Sequence, residues 1–336
     1  MPDQAAHLRH LVRTAVDLDA ALAPGAPIVA ISGARPTLGA TTAAYGLATQ
    51  LARLGKQTIL IDANLQRPAI AQYLKSSGPF PLEERAGEGG GSGARTPFKT
   101  TSYTATLTDV LNGNRRAIET LVDVSENLRL LPAHPNAIPT LDPQSYQRFA
   151  AEIAALSRQC DVLLIDAGSG MSAWIDRLWQ LAHQVLLITA PDSAAMVDAY
   201  AAVKLSQFHR LDARLRLVFN RCADDAEAAP WSARFNDTCA RFLFITPKPP
   251  ATLAEYNRAG GAASKSVGAQ KNVGGVSDAD SPYHPYKDTP FTRSARLLAA
   301  DLIADARTAR IPHPFSRDPT GERASNRFLA GLTPDS

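Results

Sequence analysis

Seven short apolar runs recur along the chain: PIVAIS at 27–32, QTILID at 57–62, LRLLP at 128–132, DVLLID at 161–166, QVLLIT at 184–189, LRLVFN at 215–220 and FLFIT at 242–246. Each has strand length, and each is apolar at consecutive positions rather than alternate ones, the pattern of strands covered on both faces. Between several of them the apolar residues fall at helical spacing: Tyr45, Leu47, Ala48, Leu51 and Leu54, then Phe149, Ile153 and Leu156, then Met196, Tyr200, Val203 and Leu205. Strands alternating with amphipathic helices imply an α/β fold, a doubly wound, mostly parallel sheet with helices on both faces and right-handed crossovers. No internal repeat is visible.

With 336 residues, 45% hydrophobic and 20% charged, the chain has enough apolar surface for a large core, which excludes disorder throughout and a small disulfide scaffold. Lys+Arg 35 against Asp+Glu 32 leaves +3, with no run of five like charges, so there is no clear nucleic-acid signal. Cys160, Cys222 and Cys239 are far apart and lack Cys-x-x-Cys spacing, so they read as buried thiols of a reducing compartment. The apolar runs fall well short of the roughly 18 residues of a membrane span. The start, MPDQAAHLRH, lacks the layout of a signal peptide. A cytoplasmic chain with at most peripheral membrane contact is expected.

Two stretches interrupt the alternation. Residues 76–104, with GEGGGSGAR, and 247–290, with AGGAASKSVGAQKNVGGVSDADSP, carry too little apolar surface to order themselves and are expected to be loops. Residues 291–310 then place Phe291, Ala295, Leu298 and Leu302 on one helical face, a closing helix for a domain over 26–246. Residues 311–336 read as a loose tail, and RFLAGL at 327–332 is too short to bind a bilayer firmly. At the start, residues 1–22 include an amphipathic helix with Asp3 as N-cap and Leu8, Leu11, Val12, Ala15 and Val16 as its apolar stripe.

In an open parallel sheet, ligands sit beyond the carboxyl ends of the strands. After the first run comes SGARPTLGATT, then a helix, then a strand ending in Asp62. That is the layout of a phosphate-binding loop, which needs glycine backbone to aim N–H groups, a Lys for charge and a hydroxyl for magnesium. Gly39, Thr41 and Thr42 supply the last glycine and the hydroxyls. Ala40 stands where the Lys belongs, and Pro36 removes an N–H donor. Taken alone, the segment fails as a phosphate-loop pattern, and a Thr-capped strand-to-helix turn is the favoured reading. Asp166, closing DVLLID before AGSGMS, has the layout of a Walker B acid that holds magnesium. A strand-terminal Asp also serves as a simple turn former, and so does Asp62. Two such acids beside a Thr-ended loop, in this order, favour the nucleotide reading. The seven histidines show no metal-ligand spacing, Ser169 lacks a nucleophile elbow, and Trp174 and Trp179 read as core or dimer-face residues.

The series ISGARPTLGATT, ILIDANLQRP, DVLLIDAGSGMS, ITAPDSAAMVDAYAAVK and LRLVFNRC resembles the MinD/ParA class of deviant Walker ATPases over about residues 26–246, and within it the FlhG-type regulators of flagellar number and placement. The resemblance implies a site for ATP and magnesium formed by Arg35, Gly39, Thr41, Thr42, Asp62, Asp166 and Asn220, with magnesium on Thr41, Asp62 and Asp166. Asn220 matches the Asn that contacts adenine. Arg35 stands at the signature Lys, Pro36 and Thr37 at its Gly pair, and Asn64 at the second Asp, which positions the attacking water. With Ala40 and Asn64 at these places, no intact catalytic residue is expected, and nucleotide binding is expected to be weak or absent. DQAxxLRxLV is similar to the FlhG segment that docks on the signal-recognition-type GTPase FlhF, which implies an FlhF-like partner contacted by Asp3, Gln4, Leu8, Arg9 and Leu11. A homodimer and recruitment to the cell pole or the inner membrane face are further implications. An Arg and an Ala at the two Lys positions are also similar to the CpaE/TadZ-type pilus-localisation branch, and an active MinD/ParA-type ATPase is the remaining alternative.

Overall fold

The computed structural model describes residues 25–70, 74, 105–134, 142–206, 214–255 and 289–308, all within the compact unit Gly25–Arg310. The N-terminal helix at 1–22, the tail at 311–336 and the loop at 76–104 lie outside the described residues. In chain order the elements are β1 (Ile28–Gly33), α1 (Ala40–Arg53), β2 (Thr58–Asp62), α2 (Leu107–Leu111), a 3-10 turn (Ala117–Thr120), β3 (Val122–Ser125) and β4 (Leu128–Leu131). Then follow α3 (Pro143–Ser157), β5 (Val162–Ser169), α4 (Ala173–Leu181), β6 (Gln184–Thr189), α5 (Ser193–Leu205), β7 (Leu215–Asn220), α6 (Asp225–Leu243), β8 (Lys248–Leu253) and α7 (Pro290–Thr308).

The eight strands form one sheet in the order β3-β4-β2-β5-β1-β6-β7-β8. All neighbours are parallel except β3 and β4. This is the doubly wound sheet that the alternation implied. Every residue of β1, β2, β6 and β7 is buried, as continuous apolar runs require when helices cover both faces. The strand order reverses between β5 and β6 around β1, so the β1–α1 connection lies at the switch point where such sheets open a crevice.

Helix starts follow their caps. Asp142, Asp192 and Asp224 each accept a backbone N–H three residues on, at 2.6, 2.7 and 2.9 Å, and Ser172 does the same for α4. Helix α7 buries Phe291, Ala295, Leu298 and Leu302. Its first turn presses on α1 where a Cβ at Gly46 would stand 2.5 Å from the Phe291 ring, so only glycine admits that approach. Arg216 on β7, itself buried, pairs with Asp301 and with Asp305 of α7. Asp305 also takes Lys248 of β8 at 2.7 Å, which ties the helix to that end of the sheet.

Four expectations need correction. FLFIT is not a strand: α6 runs on to Leu243, and Phe244 ends it in a left-handed conformation with φ 55°. The strand at that edge is β8, Lys248–Leu253, which belongs to the stretch expected to be a loop. Its bulged register against β7 accommodates Pro249 and Pro250. Leu54 and Leu205, assigned to helical core stripes, are exposed at 42% and 65%. The thiols of Cys222 and Cys239 are buried, and burial pushes that of Cys239 up to about 11, while Cys160 is half-buried.

Candidate functional site

The site lies at the carboxyl ends of β1, β2, β5 and β7. Asp62 and Asp166 are register partners at the ends of the adjacent strands β2 and β5, and both are fully buried. Each is held by backbone. Asp62 accepts from the amides of Asn64 at 3.3 Å and Ile70 at 3.1 Å, and Asp166 accepts through Oδ1 from Gly168 at 3.1 Å. Burial raises both carboxyls well above the usual range, and for Asp62 the Asp166 charge adds to it. The Thr41 hydroxyl and the Gly168 amide pull Asp166 the other way. Thr41 lies near enough for that influence, yet Oδ2 of Asp166 has no hydrogen-bond partner of good geometry and is buried.

An orphaned buried oxygen costs about 1–3 kcal/mol unless something satisfies it. Two neighbouring carboxylates with no cation among the described residues would repel unless one is protonated or a cation joins them. Asp62, Asp166 and Thr41 are therefore a donor set that fits a hard divalent cation such as magnesium, whose preferred ligands are oxygens. Among the described residues no group of three or more His, Cys, Asp and Glu gathers to hold a metal, and here the two aspartates rely on the Thr41 hydroxyl as the third oxygen.

The loop half differs from the expectation of a Thr-capped turn. The N-cap of α1 is Gly39, left-handed at φ 86°, with no side-chain cap. Thr37 also has a positive φ of 71°, unusual for a β-branched residue. Side chains from the end of β7 hold this backbone. Asn220 Nδ2 donates to the Leu38 carbonyl at 2.8 Å, and Arg221 donates to the Thr37 carbonyl at 3.0 Å. A Cβ at Gly39 would stand 2.5 Å from Asn220 Nδ2, so the glycine is required by that packing as well as by φ. Asn220 is buried and its Oδ1 has no partner.

Arg35 turns to α5, its guanidinium 3.4 Å from Asp192 and 3.3 Å from Asp198. Ala40 is buried in the first turn of α1 and carries no charge into the site. Asn64 is where the sequence placed it. A Cβ at Gly168, whose φ is 82°, would stand 2.8 Å from the Asn64 amide, so Asn64 packs directly on the segment that follows Asp166. The structure thus brings together Gly39, Thr41, Asp62, Asn64, Asp166 and Asn220. It commits Arg35 to an intramolecular ion pair, while Thr42 lies one residue deeper in α1. Asp3, Gln4, Leu8, Arg9 and Leu11 lie outside the described residues. Arg221, Asp192 and Asp198 were missed, and no spacing in the sequence marks them, since each acts across the fold.

Trp174 and Trp179 belong to the core. The indole of Trp174 donates to the Ala63 carbonyl at 2.9 Å and that of Trp179 to the Ser32 hydroxyl at 2.8 Å, so α4 braces the ends of β2 and β1.

No protein-family model matches the chain. The antiactivator FleN of Pseudomonas aeruginosa is 24% identical over 220 residues, 65% of this chain and 70% of FleN. The septum site-determining protein MinD of Thermotoga maritima is 26% identical over 197 residues, 58% of this chain and 64% of that protein, so the match spans less than two thirds of its length. The structure of MinD from Pyrococcus horikoshii complexed with Mg-ADP aligns with a TM-score of 0.53 at 15% identity, over 85% of this chain and 99% of that one.

The chain is similar to MinD/ParA-class proteins and has their fold. That is the P-loop NTPase fold, with eight described strands in one mostly parallel sheet and the loop at its switch point. Similarity to FleN agrees with the FlhG-type resemblance of its motifs. No helix among the described residues is long and apolar enough to cross a membrane.

Proposed function

We propose that this chain is an FlhG-like regulator of flagellar assembly or placement that stimulates an FlhF-like, signal-recognition-type GTPase while hydrolysing little or no ATP itself. The observation that carries the reading is the split site: Asp62 and Asp166 retain a magnesium-like donor set, but Ala40 sits at the start of α1 without a cation for phosphate. A charge-assisted contact contributes on the order of 1.5–3 kcal/mol, so its loss weakens nucleotide about ten- to a hundredfold. Asn64 is neutral and cannot take a proton from water. Losing a group aimed at transition-state charge costs about 3 kcal/mol or more in rate. ATP and magnesium are therefore weak ligands of this chain, and turnover is negligible.

The regulatory half of the proposal rests on the FlhG-like residues 1–22 and on similarity to a protein named as an antiactivator. Gln4, close to a helix start at Asp3, is suited to orient attacking water in a slow GTPase, with Leu8, Leu11 and Arg9 as anchors. The chain would act in the cytoplasm, recruited to the pole or the inner membrane face. With Arg35 held by Asp192 and Asp198, ATP-driven homodimerisation would be weak.

The test uses the full chain. Calorimetry with ATP and magnesium is expected to give weak binding, and phosphate release by the chain alone to stay near background. Phosphate release by the FlhF-like GTPase should rise on adding the chain and not on adding Gln4→Ala. ATP turnover at the rate of a working ATPase, abolished by Asp166→Ala, would overturn the first part. Equal stimulation by Gln4→Ala would overturn the second.

A further inference from the structure

Away from the strand ends, α2, the 3-10 turn Ala117–Thr120 and α3 enclose an open cavity of about 320 Å³. None of the residues that carry the proposed function lines it. Three arginines do, Arg115, Arg116 and Arg148, together with Glu119 and Glu152.

Both glutamates are committed to backbone. Glu119 accepts from the Arg116 amide at 3.4 Å and Glu152 from the Ala117 amide at 2.8 Å, which caps the 3-10 turn. Glu152 also forms an ion pair with the exposed Arg116, Oε1 standing 3.7 Å from Nε, too long for a hydrogen bond. Arg115 makes no ion pair among the described residues. Its backbone is nevertheless fixed, because the amides of Asn114 and Arg115 both donate to the Asp109 carbonyl, at 2.8 and 3.3 Å. Arg148 is held too, one guanidinium nitrogen donating to the Leu111 carbonyl and to Ser145 Oγ, each at 3.0 Å, while its Nε is buried without a partner. Gly113 closes over that guanidinium edge, where a Cβ would stand 3.3 Å from Nε, and its φ of 77° suits glycine. The turn therefore places its two arginines at the cavity that the third also lines.

Three guanidiniums around one small cavity exceed what a carboxylate, with two oxygens, can satisfy. A phosphomonoester presents three terminal oxygens, which planar guanidinium forks match in geometry and charge. The volume is at the small end for a ligand pocket. The two glutamates at the wall disfavour a polyanion such as nucleic acid. We propose that this cavity binds a small phosphorylated metabolite through the guanidiniums of Arg115, Arg116 and Arg148.

The experiment is titration calorimetry of the full chain with inorganic phosphate and with glycerol 3-phosphate. Binding of glycerol 3-phosphate is expected, with affinity falling at least about tenfold in the double variant Arg115→Gln, Arg116→Gln. Both substitutions are at exposed positions, so thermal melting should show the variant folded even if Arg148→Gln is not. Thr41→Ala, at the separate nucleotide site, should leave the affinity unchanged. Absence of heat with both probes, equal binding by the double variant, or loss of binding in Thr41→Ala overturns the proposal. So does preferential binding of an oligonucleotide or an acidic peptide.

Discussion

The two halves of the candidate site meet in one crevice but are built differently. The acid half, at the ends of β2 and β5, keeps two fully buried carboxylates whose charge nothing among the described residues neutralises. The loop half is satisfied from within the protein: Asn220 and Arg221 bond the Leu38 and Thr37 carbonyls, and Arg35 is paired with Asp192 and Asp198. A loop that has found internal partners depends little on a ligand for its shape. An acid pair held by backbone amides, with Asp166 Oδ2 still unpartnered, favours a cation. On the proposed reading the site favours a cation and depends little on a phosphate.

The largest way to break that contrast is to disturb the contact between Asn64 and the strand end. Gly168→Ala puts a Cβ 2.8 Å from the Asn64 amide at a φ of 82°. Backbone strain and overpacking together should cost on the order of 3 kcal/mol, read as a fall in the denaturation midpoint at unchanged slope. Next in size, Ala40→Lys should turn the loop from indifferent to receptive. The added cation is expected to tighten ATP about ten- to a hundredfold by calorimetry; unchanged affinity would mean that Asn220 and Arg221 already close the loop to phosphate.

The third prediction concerns the acid half alone. Because both folded carboxyls titrate above the ordinary aspartate value near 4, the stability tied to their protonated forms is full below that pH. It is lost as pH rises through the folded values. Asp62→Asn removes one charge of the pair and is expected to stabilise the fold at pH 8 by about 1 kcal/mol and to flatten the pH dependence of unfolding. Magnesium should produce a similar gain in the native chain and little in the variant. The smallest effect belongs to the exposed ion pairs. Arg35→Gln should change stability by less than about 1 kcal/mol, and any change should shrink further at high salt.

Much of this could be read from the sequence because the strands are buried on both faces, and six of the seven apolar runs became strands. FLFIT failed since helix packing through Phe235 and Cys239 carries α6 past the run's first residues. β8 was hidden by Lys-Pro-Pro, which reads as loop unless a neighbouring strand is known. β3, Val122–Ser125, is short and half-polar, with too little pattern to register. At the site, Asp62 and Asp166 were legible as strand-terminal acids. The contacts of Asn220 with Leu38 and of Arg35 with Asp198 span 182 and 163 residues and leave no local trace.

The two prolines of β8 matter beyond the register. Among the described strands β8 is outermost, and its outer side is the kind of edge to which another chain's extended segment could add. Pro249 and Pro250 have no amide hydrogens to offer, and Lys248 ahead of them would bring a charge into any such pairing. The opposite border, β3, is only four residues long and runs antiparallel. Both margins of the described sheet thus discourage edge-to-edge stacking through the backbone.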